Sequence, residues 1–194
     1  MITSFQTWKE FVKCDLYRYI LKTDWKSFVT AYFSVPGFKY CFWMRTNNYL
    51  GNIKGKFFLL PIFLFSKLMQ RHLKFKFGIQ IPSITKIDKG LFIGHFSCIF
   101  VHSDVVIGKN FTISQGVSIG VANRGSKKGT AIIGDNVYVG PGAKIFGHIN
   151  IGNDAAIGAN AVVTIDLPPK AVAVGVPAKI ISLNGSEGYA NNRI

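Results

Sequence analysis

Four histidines are the side chains of this sequence best suited to moving a proton near neutral pH. An imidazole ordinarily titrates near about pH 6.5, so its neutral form can accept a hydroxyl proton and later return it to a leaving thiolate. The four are His72, His95, His102 and His148. His95 and His102 flank a two-residue interruption of a repeat, where a solenoid can present an outward side chain. We therefore predict that His95 is a general base and that His72 and His148 are structural.

The repeat is an aliphatic residue at every sixth position through the second half of the chain. A short strand with one inward aliphatic side chain, followed by a Gly, Asn or Asp turn, explains units such as Val-Val-Ile-Gly-Lys-Asn. A six-residue period drifts around a 3.6-residue helix, and the Gly and β-branched content also opposes a helix. The pattern therefore predicts a mainly β protein, a parallel β-helix of hexapeptide repeats. The repeated positions are Ile81, Ile87, Ile93, Val101, Ile107, Ile113, Ile119, Ile133, Val139, Ile145, Ile151, Ile157 and Val163.

The repeat also predicts which units lie on top of one another. If three units form one triangular coil, the unit at Ile113 lies on the unit at Ile93, and Gln115 lies beside His95. A second interruption, residues 120–131, is rich in Gly, Ser, Lys and Asn. We assign residues 79–182 to the β-helix domain and predict that residues 183–194 form a flexible tail.

Residues 1–78 have a different pattern, typical of an α-helical N-terminal segment. Apolar residues from Phe5 to Tyr19 recur at three- and four-residue spacing, which predicts an amphipathic helix after Ser4. Further helices are expected around 24–33, 37–48 and 56–75. Residues 1–80 also carry +10 of the net charge of +14. Two interpretations remain open: the aromatic residues pack on the β-helix as a cap, or they contact anionic lipid.

Composition excludes several classes of protein. Cys14, Cys41 and Cys98 are an odd number and widely spaced, so neither a disulfide framework nor a thiolate metal site is predicted. The longest apolar run, residues 57–65, contains Pro61 and is far shorter than the roughly 20 residues of a membrane span. We expect no secretory signal, and therefore a cytoplasmic protein, with peripheral contact at the inner face of the membrane as a further possibility.

Four segments together resemble one known family. They are Gly90-Leu-Phe-Ile-Gly-His95, Gln115-Gly-Val-Ser-Ile-Gly120, Gly140-Pro-Gly-Ala-Lys-Ile145 and Gly175-Val-Pro-Ala-Lys179. Their order and spacing resemble the serine acetyltransferase group of left-handed β-helix acyltransferases, particularly its capsule and colanic-acid O-acetyltransferases. The resemblance covers roughly residues 78–182.

The resemblance implies a left-handed β-helix and acetyl transfer from acetyl-CoA, with His95 as the catalytic base. It also implies a homotrimer that binds acetyl-CoA in a groove between neighbouring subunits, along the later coils. Small residues there would let the backbone approach the pantetheine arm, and a lysine would meet a phosphate group. The cofactor-binding residues implied are Gly142, Ala143, Gly158, Ala159 and Lys179.

Three positions depart from the serine acetyltransferase pattern. In that group an Asp precedes the catalytic His, where this chain has Gly94. The group also has a carboxylate at the position of Gln80 and a second His near the position of Thr130. A serine ammonium group therefore loses a charge-assisted contact of about 1.5–3 kcal/mol. We predict an O-acetyltransferase for a saccharide hydroxyl in surface-polysaccharide biosynthesis, with serine O-acetyltransferase of cysteine biosynthesis as the alternative. The candidate acceptor-site residues are Gln80, His102, Gln115, Arg124 and Thr130.

Two other classes fit the sequence less well. A zinc enzyme of the same fold needs three converging histidines, and only His95 and His102 share a neighbourhood, so we predict no metal. The basic residues of the helical segment match no nucleic-acid recognition motif, so we predict no nucleic-acid partner.

Overall fold

The computed structural model describes residues 2–53 and 56–194. Its first part is helical, and α1 begins directly after Ser4, as predicted, because the Ser4 side chain accepts a hydrogen bond from the Thr7 amide. Asp24 caps the second helix in the same way, through the Ser27 amide. The elements are α1 (Phe5–Ile20), α2 (Trp25–Ser34), α3 (Pro36–Asn52), a 3-10 turn (Lys56–Leu59) and α4 (Leu60–Phe77).

The second part is the predicted parallel β-helix, in which strands of two to four residues form three sheets. The sheets have the orders β1-β4-β7-β10-β13, β2-β5-β8-β11 and β3-β6-β9-β12-β14-β15, and in the described chain only β15 runs antiparallel to its neighbour. The strands are β1 (Ile79–Gln80), β2 (Lys86–Ile87), β3 (Phe92–Ile93), β4 (Ile99–Val101), β5 (Val106–Ile107), β6 (Thr112–Ile113), β7 (Ser118–Gly120), β8 (Ile132–Ile133), β9 (Tyr138–Val139), β10 (Lys144–Phe146), β11 (Asn150–Ile151), β12 (Ala156–Ile157), β13 (Val162–Val163), β14 (Val172–Val174) and β15 (Lys179–Ser182).

The strand register confirms three units per coil. Ile93 pairs with Ile113, and Ile113 pairs with Val139. The repeated aliphatic side chains therefore stack in columns inside the coils, where they are buried. Each turn of chain adds one layer to a continuous apolar core.

The helices are fixed to the first coil by a buried ion pair. Arg45 Nε lies 2.9 Å from Asp15 Oδ2, and both side chains are almost fully buried. Asp15 Oδ1 also accepts hydrogen bonds from the amides of Gly90 and Leu91, at 2.9 and 2.8 Å. Arg45 Nη1 donates to the Ile87 carbonyl at 2.6 Å. These bonds join α1 and α3 to the turns around β2 and β3.

The C-terminal segment is packed, so the predicted flexible tail at 183–194 is wrong. Arg193 Nη1 lies 3.0 Å from Asp154 Oδ1, and the Ile194 amide donates to Asn110 Oδ1 at 3.1 Å. Arg18 is buried and donates from Nε to the Asn191 carbonyl at 3.0 Å, and its burial lowers its pKa to about 10. The terminal position of this segment predicted mobility, but its polar groups find partners on the coils and on α1.

Candidate functional site

His95 lies at the corner where the chain turns from β3 to β4. The two extra residues of the interruption lengthen this corner, and Ser97 and Cys98 take positive φ angles of 94° and 55° there. His95 is exposed, and its side chain has no hydrogen-bond partner among the described residues. The ring is therefore free to contact a substrate. Phe96, beside it, packs on Phe77 with ring centroids 5.3 Å apart and forms an apolar wall.

Gln115 occupies the corresponding corner of the next coil, as the register predicted. The Gly94 amide donates to the Ile113 carbonyl at 3.1 Å, and the Gly116 amide donates to the Ser97 carbonyl at 3.0 Å. Gln115 Oε1 is buried, and it has no hydrogen-bond partner in the described part of the chain. An unpaired buried acceptor of this kind costs about 1–3 kcal/mol. The arrangement thus places Gln115, whose Oε1 lacks a donor, on the coil next to the exposed His95.

The predicted cofactor residues lie along the same edge of the β-helix as His95. The Gly142 amide donates to the Gln115 carbonyl at 2.9 Å, and the Asn160 amide donates to the Pro141 carbonyl at 2.8 Å. The Val162 amide then donates to the Gly175 carbonyl at 3.0 Å. With about 4.8 Å between paired strands, the edge from His95 to Gly175 is roughly 19 Å long. An extended molecule can follow it from the catalytic corner to the last coil.

The two predicted glycines on this edge are required by the stacking of the coils. Gly142 has a φ of +73°, and a Cβ there would lie 2.0 Å from Asn160 Oδ1. A Cβ at Gly158 would lie 2.7 Å from Val174 Cγ1. Turn and packing chemistry therefore explains both residues, and their contact with the cofactor remains a prediction.

The other three predicted cofactor residues differ in exposure. Ala143 is fully buried in the core, and its carbonyl accepts a hydrogen bond from the Ser118 amide, so its side chain cannot line a groove. The prediction that Ala143 binds the cofactor did not take into account that this residue falls at an inward position of its six-residue unit. Ala159 is exposed on the edge, and Lys179 is exposed opposite Val174 at the far end.

The predicted acceptor residues do not form one site within a single chain. Gln115 lies next to the His95 corner, whereas His102 and Thr130 lie at a different corner, between the sheet of β4 and β7 and the sheet of β5 and β8. At that corner, where the chain turns from β4 to β5 and from β7 to β8, His102 Nδ1 accepts from the Asp104 amide at 3.3 Å, and Thr130 Oγ1 donates to the Asp104 carbonyl at 3.1 Å.

The remaining two acceptor candidates lie elsewhere on the molecule. Arg124 is exposed on the loop that the pairing of Ala122 with Gly129 closes. Gln80 lies on β1, opposite Phe100 of β4, and borders a groove beneath α4. Across residues 2–53 and 56–194, no group of three or more His, Cys, Asp or Glu could hold a metal ion.

Comparison with known proteins identifies similar chains. The chain is 38% identical over 120 residues to a serine acetyltransferase of Helicobacter pylori strain J99, covering 62% of this chain and 70% of that protein. It is 39% identical over 112 residues to a serine acetyltransferase of Staphylococcus aureus strain Mu50, covering 58% and 53%. No protein-family model matches the chain.

Solved structures give the same result over more of the chain. The serine acetyltransferase of Neisseria gonorrhoeae in complex with serine has a TM-score of 0.73 at 27% identity, covering 92% of this chain and 71% of that one. A serine acetyltransferase solved with CoA has a TM-score of 0.72 at 28% identity, covering 91% and 71%. The likeness confirms the left-handed β-helix and extends into the helices, beyond the predicted residues 78–182.

These relatives correct the predicted acceptor. The main prediction, a saccharide O-acetyltransferase of surface-polysaccharide biosynthesis, is wrong, and closeness to the capsule and colanic-acid enzymes is not supported. The prediction gave too much weight to Gly94, Gln80 and Thr130. A lost contact of about 1.5–3 kcal/mol weakens the binding of one acceptor, but it does not by itself identify another acceptor. The alternative, serine, is the acceptor that the comparisons favour.

Proposed function

Because the chain belongs to the serine acetyltransferase family of hexapeptide-repeat acyltransferases, we propose that it acetylates the hydroxyl group of L-serine. The chain is an acetyl-CoA-dependent acyltransferase. One observation carries the assignment of its catalytic corner: His95 is exposed, lacks a partner among the described residues, and stands at the start of an edge long enough for an extended cofactor. Acetyl-CoA supplies the acetyl group as a thioester.

His95 acts as the general base and then as the general acid in this proposal. The imidazole accepts the proton of the serine hydroxyl while the oxygen attacks the thioester carbonyl. The carbon–sulfur bond breaks, and the imidazolium returns the proton to the departing sulfur. The products are O-acetylserine and free CoA, and His95 is neutral again.

Gln115 orients the base in the same proposal. Rotation of the His95 ring toward the neighbouring coil lets one ring N–H donate to the buried Gln115 Oε1, which otherwise lacks a donor in the described chain. The hydrogen bond fixes which ring nitrogen carries the proton. The other nitrogen is then the one that accepts the hydroxyl proton. Gln115 is therefore a positioning residue, in place of the carboxylate that the sequence lacks at Gln80.

Acetyl-CoA is proposed to lie along the edge that begins at His95. Gly142 and Gly158 have no side chain that could project from the edge, and Ala159 has only a small exposed one. Lys179 can pair its positive charge with a phosphate group at the far end. The exposed side chains on this path support the proposal, since none of them must move out of the core.

A homotrimer is part of the proposal because one chain separates the acceptor candidates. The His95 corner and the corner of His102 and Thr130 can face one another only across an interface between copies. The outward strand faces carry exposed apolar residues that fit such an interface, including Phe100 and Phe146.

The first experiment measures release of free CoA by the purified chain with acetyl-CoA and L-serine. We expect activity that requires L-serine, and we expect His95→Ala to lower kcat/KM about 10²–10⁴-fold with its fold unchanged, since the exposed ring leaves no cavity. His148→Ala, also exposed, is the matched control. Activity of His95→Ala within a few-fold of the parent would refute the role of His95. A rate of CoA release that is the same with and without L-serine would refute L-serine as the acceptor.

A second experiment introduces a carboxylate at position 94, where the serine acetyltransferase pattern has an Asp and this chain has Gly94. A Cβ at Gly94 meets only Phe92 Cε1, at 3.3 Å, so Gly94→Asp fits the exposed corner without moving backbone. The new carboxylate can pair with the serine ammonium group, and a contact of about 1.5–3 kcal/mol corresponds to a roughly tenfold or greater gain in kcat/KM for L-serine. Gly94→Asn is the uncharged control. An unchanged or lower kcat/KM for L-serine in Gly94→Asp would count against an amino-acid acceptor.

A further inference from the structure

Helix α4 contacts the rest of the protein through polar side chains in its middle and apolar side chains near its end. Ser66 is fully buried, and its hydroxyl and carbonyl both bond to the Asn47 side chain. Asn47 Nδ2 also donates to Gln70 Oε1 at 2.6 Å, and Gln70 Nε2 donates to the Ile81 carbonyl at 3.2 Å. Side-chain hydrogen bonds therefore hold the inner face along the middle of α4, and the buried apolar residues of this helix, Leu73 and Phe77, lie near its end.

The apolar side chains of this region point outward instead. A surface helix normally buries its apolar stripe, and a large exposed apolar patch marks an interaction site. Leu64 and Leu68 are 52% and 64% exposed, and together with Phe75 they form the α4 side of the groove of about 840 Å³ that Gln80 borders. We define the outer face of α4 by the exposed apolar residues of this helix and of the 3-10 turn before it, Phe57, Phe58, Leu60, Ile62, Leu64, Leu68 and Phe75.

Basic residues lie among these apolar side chains without acidic ones. Residues 25–87 contain ten Lys and Arg but no Asp or Glu. Lys67 and Arg71 are exposed on α4, and Arg71 and Lys74 lie over the Phe75 ring at 5.8 and 5.7 Å from its centroid. The surface therefore offers apolar groups and cations together.

We propose that the outer face of α4 binds the surface of an anionic lipid bilayer. The helix lies parallel to the membrane, its apolar side chains enter the headgroup region, and Lys67, Arg71 and Lys74 meet lipid phosphates. A second copy is a poorer occupant, because a two-fold interface would bring this basic surface against itself. No helix in the described part of the chain is long and apolar enough to span a membrane. The proposal does not depend on the identity of the acetyl acceptor.

Vesicle sedimentation tests the proposal with the full chain. The probes are vesicles of phosphatidylcholine alone and vesicles of phosphatidylcholine mixed with phosphatidylglycerol. We expect the protein to sediment with the anionic vesicles at low salt and to be released toward 1 M salt, where the Debye length falls from about 10 Å to about 3 Å. Failure to sediment with anionic vesicles at low salt would overturn the proposal.

Two double variants distinguish binding through the cations of α4 from binding through the overall positive charge of the protein. Lys67→Gln/Arg71→Gln should lower the partition coefficient about 25-fold, since each cation near an anionic surface contributes about fivefold. Lys109→Gln/Lys170→Gln removes two exposed cations elsewhere and should lower it less than threefold. An equal loss in both pairs would refute a site on α4.

The apolar contribution is tested in the same way. Leu64→Gln/Leu68→Gln should weaken vesicle binding several-fold, whereas Ile181→Gln/Leu183→Gln, which changes two comparably exposed residues on another surface, should not. Circular dichroism and CoA release in solution verify that each variant is folded. If Leu64→Gln/Leu68→Gln leaves vesicle binding unchanged but lowers the molar mass by light scattering, the face binds another copy and the proposal is wrong.

Discussion

At the scale of single residues, we propose that the orientation of His95 depends on the carboxamide of Gln115, whose Oε1 is buried and unpaired in the described chain. We expect Gln115→Leu to lower kcat while leaving KM for acetyl-CoA unchanged, because the base loses its orientation and the edge for the cofactor is intact. Gln115→Glu should retain activity but move the acidic limb of the pH–rate profile to higher pH, because a carboxylate stabilises the protonated imidazole. Measured kcat, KM and pH profiles of both variants test this. An unshifted profile for Gln115→Glu would show that the two side chains do not interact.

At the scale of elements, the junction between helices and β-helix depends on the buried pair of Asp15 and Arg45. Asp15→Asn should lower the free energy of unfolding by about 3–5 kcal/mol, because it leaves the Arg45 charge buried without its counter-ion. Glu10→Gln removes the partner of Lys89 in an ion pair at the surface and should cost less than about 1 kcal/mol. Urea unfolding measures both. Equal losses would mean that the junction is not maintained by this pair.

At the scale of the whole molecule, the proposed site needs more than one copy of the chain. We expect light scattering to give about three times the chain mass of 21.5 kDa. Phe100→Lys/Phe146→Lys should lower that mass and the activity together, since both residues are exposed on the outward face of one sheet. Ile181→Lys, an exposed position on β15, is the control and should alter neither. A fully active monomer at micromolar concentration would exclude a site shared between copies.

The sequence by itself determined the coils and their register. Each six-residue unit has one inward aliphatic position and one turn, and such local rules repeat without reference to distant residues. The pairing of Ile93 with Ile113, and so the place of Gln115 next to His95, followed from counting alone. The start of α1 after Ser4 was equally local, because a cap is made within one turn of helix.

Only the tertiary structure decided how the remaining segments meet the coils. The tail at 183–194 was predicted to be mobile from its terminal position, but Asp154, Asn110 and Arg18, far away in sequence, supply its hydrogen bonds and its ion pair. From the sequence, the apolar residues of α4 could pack on the β-helix as a cap. In the structure Asn47 and the Ile81 carbonyl instead bind the polar side chain of Gln70 on the inner side of this helix. Long-range hydrogen bonds of this kind leave no periodic signal in a sequence, because each partner is chosen by proximity in the folded chain.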